Sequence, residues 1–249
     1  MPHFFIKSTE VDGNKITIND NETYNHIAKS LRIKTGEPLL LIDENKIQYE
    51  TTVEEVTKKE IQVKINKSYK SKRELNFHLY LAQSPLRSDA QSTIIEKATE
   101  LGASGVYPIY TDNCALKKDV IEKKISKWQK IMQEASKQCE RANIPTCFEL
   151  TTMEDLLKNN KFDYIIAFCE RDADMTFRDF ISDKPELFKE SKVLVIIGPE
   201  GGFSQKEFDF FTNNAIPKLT LGDLILKAET AVIVALGNII YEYNNTKQN

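Results

Sequence analysis

The segment with the most chemistry in it is Ile197-Gly198-Pro199-Glu200-Gly201-Gly202, which follows the apolar run Val193-Leu194-Val195-Ile196 and precedes Phe203-Ser204-Gln205-Lys206-Glu207. Ser204 with Glu207 three residues on is the pattern of a capping box, so a strand, a tight glycine turn and a helix are expected in succession. Ligands of open α/β sheets sit at the carboxyl ends of strands, and glycines let backbone approach a ligand closely. The spacing is neither that of a P-loop nor that of a dinucleotide fingerprint. Glu200 would repel a phosphate and suits a neutral or cationic ligand, such as the sulfonium of S-adenosylmethionine (SAM). An isolated glycine turn more often serves geometry alone. Glycine, proline and glutamate together at the end of a buried strand favour the ligand.

About twenty residues on, Leu219-Thr220-Leu221-Gly222-Asp223-Leu224-Ile225-Leu226-Lys227 leads into Ala228-Glu229-Thr230-Ala231. Again a strand ends in a glycine and an apolar loop, and a helix follows. Glu229 falls in the first helical turn, where a carboxylate complements the dipole, and Thr230 brings a hydroxyl near free backbone amides. Alone this is ordinary helix-start chemistry. Two such loops on consecutive strand ends can clasp one ligand between them.

The elements that must position these loops follow from periodicity. From residue 75 the chain alternates strand and helix: strands at 75–82, 106–110, 164–169, 193–197 and 218–221, and a helix from Ser88 or Asp89 to about Leu101, stopped by Gly102. Ile121, Ile125, Trp128, Met132, Ala135 and Cys139 recur at three- and four-residue spacing and predict one long amphipathic helix. The last helix, 228–243, is apolar over most of its circumference and is expected to be buried or at a subunit interface. Alternating β and α predicts a parallel sheet with helices on both faces. The first seventy residues differ: short strands at 4–6, 39–42, 47–56 and 61–65 and one helix over 22–31 suggest a small barrel. Residues 68–74, polar and charged, read as a linker.

Composition sets outer limits. The 249 residues fit one large domain or two modest ones. No apolar run approaches the ~20 residues of a membrane span, and the three-residue run at Phe4-Phe5-Ile6 is too short for a signal peptide, so a cytosolic location is expected. Cys114, Cys139, Cys147 and Cys169 form no C-x-x-C pair and lie near no histidine, so neither a metal site nor a disulfide framework is expected. The formal net charge of −3 argues against gripping nucleic acid by bulk charge. Any RNA surface must come from local segregation of basic residues.

The two loops together resemble the signature of the RsmE family, the 16S ribosomal RNA uracil-N3 methyltransferases of the SPOUT superfamily. Lys97-Ala98-Thr99-Glu100-Leu101-Gly102-Ala103, Glu134-Ala135…Gln138-Cys139-Glu140-Arg141…Pro145, and His26 with Leu31-Arg32 resemble further motifs of that family, in the same order along nearly the whole chain. The family usually has arginine at the position of Lys227, threonine at that of Ala228, a basic residue at that of Ala90 and a glutamate at that of Ser92. Lysine at 227 keeps the charge and loses the planar fork.

The resemblance implies an N-terminal PUA-like β-barrel over residues 1–72 and a SPOUT α/β methyltransferase domain over 73–249, its C-terminal part a trefoil knot. It implies SAM as cofactor, 16S ribosomal RNA in the small ribosomal subunit as partner, and a homodimer through the knot region, with no membrane and no metal. The implied SAM site comprises Phe168, Cys169, Glu170, Ile197, Gly198, Pro199, Glu200, Gly201, Gly202, Leu221, Gly222, Ile225, Leu226, Lys227, Glu229, Thr230 and Ala231. For catalysis, deprotonating uracil N3 spreads negative charge over the ring oxygens, and a nearby cation lowers that cost. Arg141 is the first candidate, with an ion pair at the end of the long helix as its plainer role. Glu200 is the candidate base, though orienting the cofactor suits both it and Glu229 better. Lys7, Lys29, Arg32, Lys34 and Arg87 are the candidate RNA contacts, although each singly is also what a solvated surface carries. Two other readings stay open: a related enzyme acting at another RNA position, and a non-catalytic RNA-binding protein of ribosome assembly.

Overall fold

The computed structural model describes residues 3–71, 73–173 and 175–247. The chain forms two units. The first runs to Glu74 and takes back Ser136–Ile144; the second comprises Leu75–Ala135 and Pro145 onward.

The first unit holds β1 (His3–Phe5), β2 (Val11–Asp12), β3 (Lys15–Ile18), β4 (Pro38–Ile42), β5 (Ile47–Val56) and β6 (Ile61–Lys70). They form one sheet in the order β1-β4-β5-β6-β3-β2, antiparallel except for β1 with β4. Alternating Ile16/Ile18 and Ile61/Val63, with Phe4, Leu39, Leu41 and Val53, form one buried core. Register shifts in β5 at Glu50/Thr51 and Val53/Glu55 bend the strand, as bulges do. The expected helix over 22–31 takes two forms: α1 (Asn21–Tyr24), capped by Asp20 (Oδ1 accepts from Thr23 N, 2.9 Å), and wider π turns over Asn25–Ser30 that carry Ile27 into the core.

One expectation fails here. Residues 68–70 are not linker but strand: β6 continues to Lys70, opposite Ile47, Gln48 and Tyr49 of β5. Its last half covers no core, so no apolar alternation marked it.

The second unit holds β7 (His78–Gln83), α2 (Ser88–Glu100), β8 (Gly105–Pro108), α3 (Lys118–Glu122), α4 (Ile125–Gln138), β9 (Thr146–Cys147), α5 (Met153–Asn159), β10 (Tyr164–Phe168), β11 (Met175–Thr176), α6 (Phe177–Ile181), β12 (Lys192–Ile197), α7 (Gln205–Asn213), β13 (Lys218–Thr220) and α8 (Ala228–Thr246). The seven strands form one parallel sheet in the order β11-β13-β10-β12-β7-β8-β9. β12, whose residues from Val193 to Ile197 are all buried, lies between β10 and β7, which explains its unbroken apolar run. The chain leaves β12 through α7 and returns on the far side of β10 as β13, so three carboxyl ends meet at a point where strand order reverses.

Two helix expectations change. The long helix breaks at Lys123-Lys124 into α3 and α4, although Ile121, Trp128, Met132 and Ala135 are buried as their spacing requires. The N-cap of α2 is Arg87, with extended backbone and no side-chain cap, and Asp89 falls inside the first turn; the side chain of Ser88 lies outside those described. Gly102 ends α2 with φ +86°, as expected. Among the described residues no helix is long and apolar enough to cross a membrane.

Candidate functional site

β10, β12 and β13 run in register, Phe168 lying opposite both Ile197 and Leu219. The loops that leave their carboxyl ends enclose a cavity of about 430 Å³, within the roughly 300–1,000 Å³ of small-molecule sites. Its walls are Phe168, Cys169, Glu170, Arg171 and Asp172 from the first loop; Ile197, Gly198, Pro199, Gly201, Gly202, Phe203, Gln205 and Phe208 from the second; and Leu226, Ala228 and Ala231 from the third. A side recess shares Phe168, Cys169, Glu170, Leu226 and Ala231 and adds Leu221, Gly222 and Leu224.

The glycine turn is braced from several directions. Gly202 N donates to Pro199 O (3.0 Å), closing the turn, and Gly202 has φ +69°, a conformation open to glycine at no steric cost. A Cβ on Gly202 would stand 3.4 Å from Glu170 Oε1. Asn113, in the loop after β8, donates from Nδ2 to Gly201 O (3.3 Å) and Gly202 O (3.1 Å), and a Cβ on Gly201 would lie 3.2 Å from its own Cβ.

The capping box forms as its spacing requires: Ser204 Oγ accepts from Glu207 N (3.3 Å), and Glu207 Oε2 accepts from Ser204 N (2.8 Å). Glu207 is buried, its other oxygen accepts from Asp112 N (3.1 Å), and Ser204 Oγ donates to Asp112 Oδ2 (2.6 Å). Residues 112–113 are thus tied to the carboxyl end of the turn and to the cap of α7.

Of the residues expected around the cofactor, Phe168, Cys169, Glu170, Ile197, Gly198, Pro199, Gly201, Gly202, Leu226 and Ala231 line the main cavity, and Leu221 and Gly222 its recess. Glu200, Ile225, Lys227, Glu229 and Thr230 belong to the same loops without lining either space; Ile225 is 66% exposed and Lys227 is the N-cap of α8. Arg171, Asp172, Phe203, Gln205, Phe208 and Ala228 line the cavity and were not among the residues expected around the cofactor. Arg171 and Asp172 continue the Phe168–Glu170 segment, and the strand-end rule that picked out Gly198 applies equally to them.

Arg141 lies in the first unit, buried, where it donates to Glu74 from Nε (3.4 Å to Oε1) and Nη2 (2.8 Å to Oε2). Glu74 Oε1 also accepts from Ala142 N (2.9 Å) and Asn143 N (3.0 Å). Lys7, Lys29, Arg32 and Lys34 are exposed on the first unit, Arg32 with φ +54°, and Arg87 is exposed on the second. Among the described residues, no three His, Cys, Asp or Glu side chains converge as a metal site would require.

Comparison with known proteins accords with this geometry. The profile of a family described as RNA methyltransferase domain matches residues 73–240, and one described as RNA methyltransferase PUA domain matches 18–66. Ribosomal RNA small subunit methyltransferase E of Mesomycoplasma hyopneumoniae is 32% identical over 88% of this chain and 92% of its own length. The protein of the same name from Bacillus subtilis is 28% identical over 89% and 88%. A Legionella pneumophila structure in complex with SAM is 26% identical, covers 96% of each chain and superposes with a TM-score of 0.82.

Proposed function

Since the chain belongs to the RNA methyltransferase family represented by ribosomal RNA small subunit methyltransferase E, we propose that it methylates N3 of a uridine in the 16S RNA of the small ribosomal subunit, with SAM as donor. The observation that carries this is the cavity walled by the loops after β10, β12 and β13. Its contents suit SAM. The carboxylates of Glu170 and Asp172 complement the ligand's cationic groups, Arg171 its carboxylate, and Ile197, Phe203, Phe208 and Leu226 a flat apolar ring.

SAM supplies an already activated methyl group, so the chain's own residues have mainly to position and to handle a proton. Gly198, Gly201 and Gly202 bring bare backbone to the cavity wall, and Asn113 fixes the carbonyls of Gly201 and Gly202. The uridine must leave its stack to reach the cavity. Its N3 proton has to be removed, and Glu200, exposed between two wall residues, is the candidate acceptor. Negative charge then grows on the ring oxygens, where a guanidinium lowers the barrier. Arg171 stands on the cavity wall; Arg141 is engaged by Glu74, which favours a positioning role for it.

The protein is further proposed to act as a homodimer. Ile233 and Tyr241 of α8 and Leu224 and Ile225 of the preceding loop are exposed apolar groups that a second copy would cover.

The test is calorimetric titration of the full chain with SAM, followed by mass spectrometry of small-subunit RNA incubated with both. Saturable binding and 3-methyluridine are expected. A methyl group found at another atom of the RNA would reassign the substrate position, and no SAM binding would leave an RNA-binding protein only.

A further inference from the structure

The second half of β6 has no structural duty that its residues explain. Ile61 and Val63 face the core, whereas Lys64, Lys67, Tyr69 and Lys70 are exposed. β3 pairs with β6 only as far as Lys15 opposite Lys64, and Ile65 N donates to Asn14 O (2.8 Å), so beyond Ile65 the paired partner is β5 alone. An exposed strand edge commonly carries lysines as protection against pairing with other chains, and that accounts for Lys67 and Lys70. It does not account for Tyr69, a large ring left 38% exposed among them. Lys67 Nζ stands 5.3 Å from the ring centroid, and Glu50, opposite Lys67, faces the tyrosine hydroxyl. The ring is thus fixed in position at the strand surface rather than packed away.

An exposed, anchored aromatic ring interleaved with lysines is the chemistry that binds unpaired RNA: a base stacks on the ring while ammonium groups meet the phosphates. We propose that Tyr69 is a stacking platform for an unpaired base of the RNA substrate, with Lys64 and Lys67, on the same face of the sheet, contacting its backbone. The site would hold a single-stranded segment of the substrate while a uridine is methylated elsewhere on the protein. The inference rests on the reading of this chain as an rRNA methyltransferase, and it places RNA contacts outside Lys7, Lys29, Arg32 and Lys34.

The experiment uses the full chain and two probes: fluorescein-labelled decauridine and protein-free small-subunit RNA. Tyr69→Ala is expected to weaken decauridine binding about 5- to 150-fold, the span of one lost base stack. Tyr69→Phe, which keeps the ring, should stay within about twofold of wild type. Replacing Lys64 and Lys67 together by alanine should lower the slope of log affinity against log salt by about 1.4. Circular-dichroism melts of the same preparations show that each variant is folded, and SAM affinity should be unchanged in all three. Tyr69→Trp adds a direct readout: its fluorescence should be quenched by decauridine, whereas the native Trp128 is buried. Wild-type binding with Tyr69→Ala equal to wild type would overturn the platform, as would Tyr69→Phe falling as far as Tyr69→Ala. Failure of the wild type to methylate small-subunit RNA would instead overturn the underlying reading.

Discussion

Asn113 holds two carbonyls of the glycine turn with one amide, so its loss should loosen the cofactor wall more than the fold. Two neutral hydrogen bonds contribute about 0.5–1.5 kcal/mol each. Asn113→Ala is therefore expected to raise the SAM dissociation constant about tenfold in calorimetry and to lower the melting temperature by a few degrees. Asn113→Asp, which cannot donate, should do the same. His3 gives the pH counterpart. It is buried, neither ring nitrogen has a hydrogen-bond partner among the described residues, and burial first, then the Arg73 charge, lowers its pKa from 6.5 to about 4. Folding therefore favours the neutral ring. Above about pH 6.5 there is no penalty; between pH 6.5 and 4 the unfolded chain binds the extra proton and stability falls by about 3 kcal/mol. Denaturant melts across that window should show the slope, and His3→Phe should flatten it.

The elements were legible where burial on one face or on both left a periodic trace. β12 with its turn, the capping box that opens α7, and the apolar last helix were all visible in sequence, because strand, cap and helix each obey short-range rules. The outer half of β6 and the break between α3 and α4 were not, since Lys67–Lys70 bury nothing and Lys123-Lys124 interrupt the backbone without interrupting the apolar spacing. At the site, the glycines announced themselves through composition, whereas Arg171 and Asp172 carry no such mark and are reached only by extending the strand-end rule two residues past Phe168–Glu170. The same elements carry a prediction. Gly202→Ala forces a side chain into φ +69° and toward Glu170, at a cost of roughly 1–2 kcal/mol. Methyl transfer should fall chiefly through a higher KM for SAM, measured with RNA saturating.

At the scale of the molecule, the first unit is not a contiguous stretch of sequence. Glu74 is satisfied by Arg141, Ala142 and Asn143, which return from beyond α4. Removing one partner of a buried ion pair strands the other. Glu74→Ala should therefore lower stability by about 3 kcal/mol, seen as an earlier transition in thermal melts. Residues 1–74 expressed alone should melt at lower temperature than the same unit in the full chain. Sedimentation of wild type against an Ile233→Asp, Tyr241→Asp double variant tests the proposed dimer, with the variant expected as monomer. The returning segment also sets a timetable for synthesis. A nascent chain leaves the ribosome from its N-terminus, so the sheet of the first unit emerges about 70 residues before Ile144 does. At about 5–20 residues per second, that interval lasts roughly 4–14 s. Throughout it, the unit waits with a carboxylate that has no counter-ion, exposed to chaperones and proteases, until translation delivers the arginine that closes it.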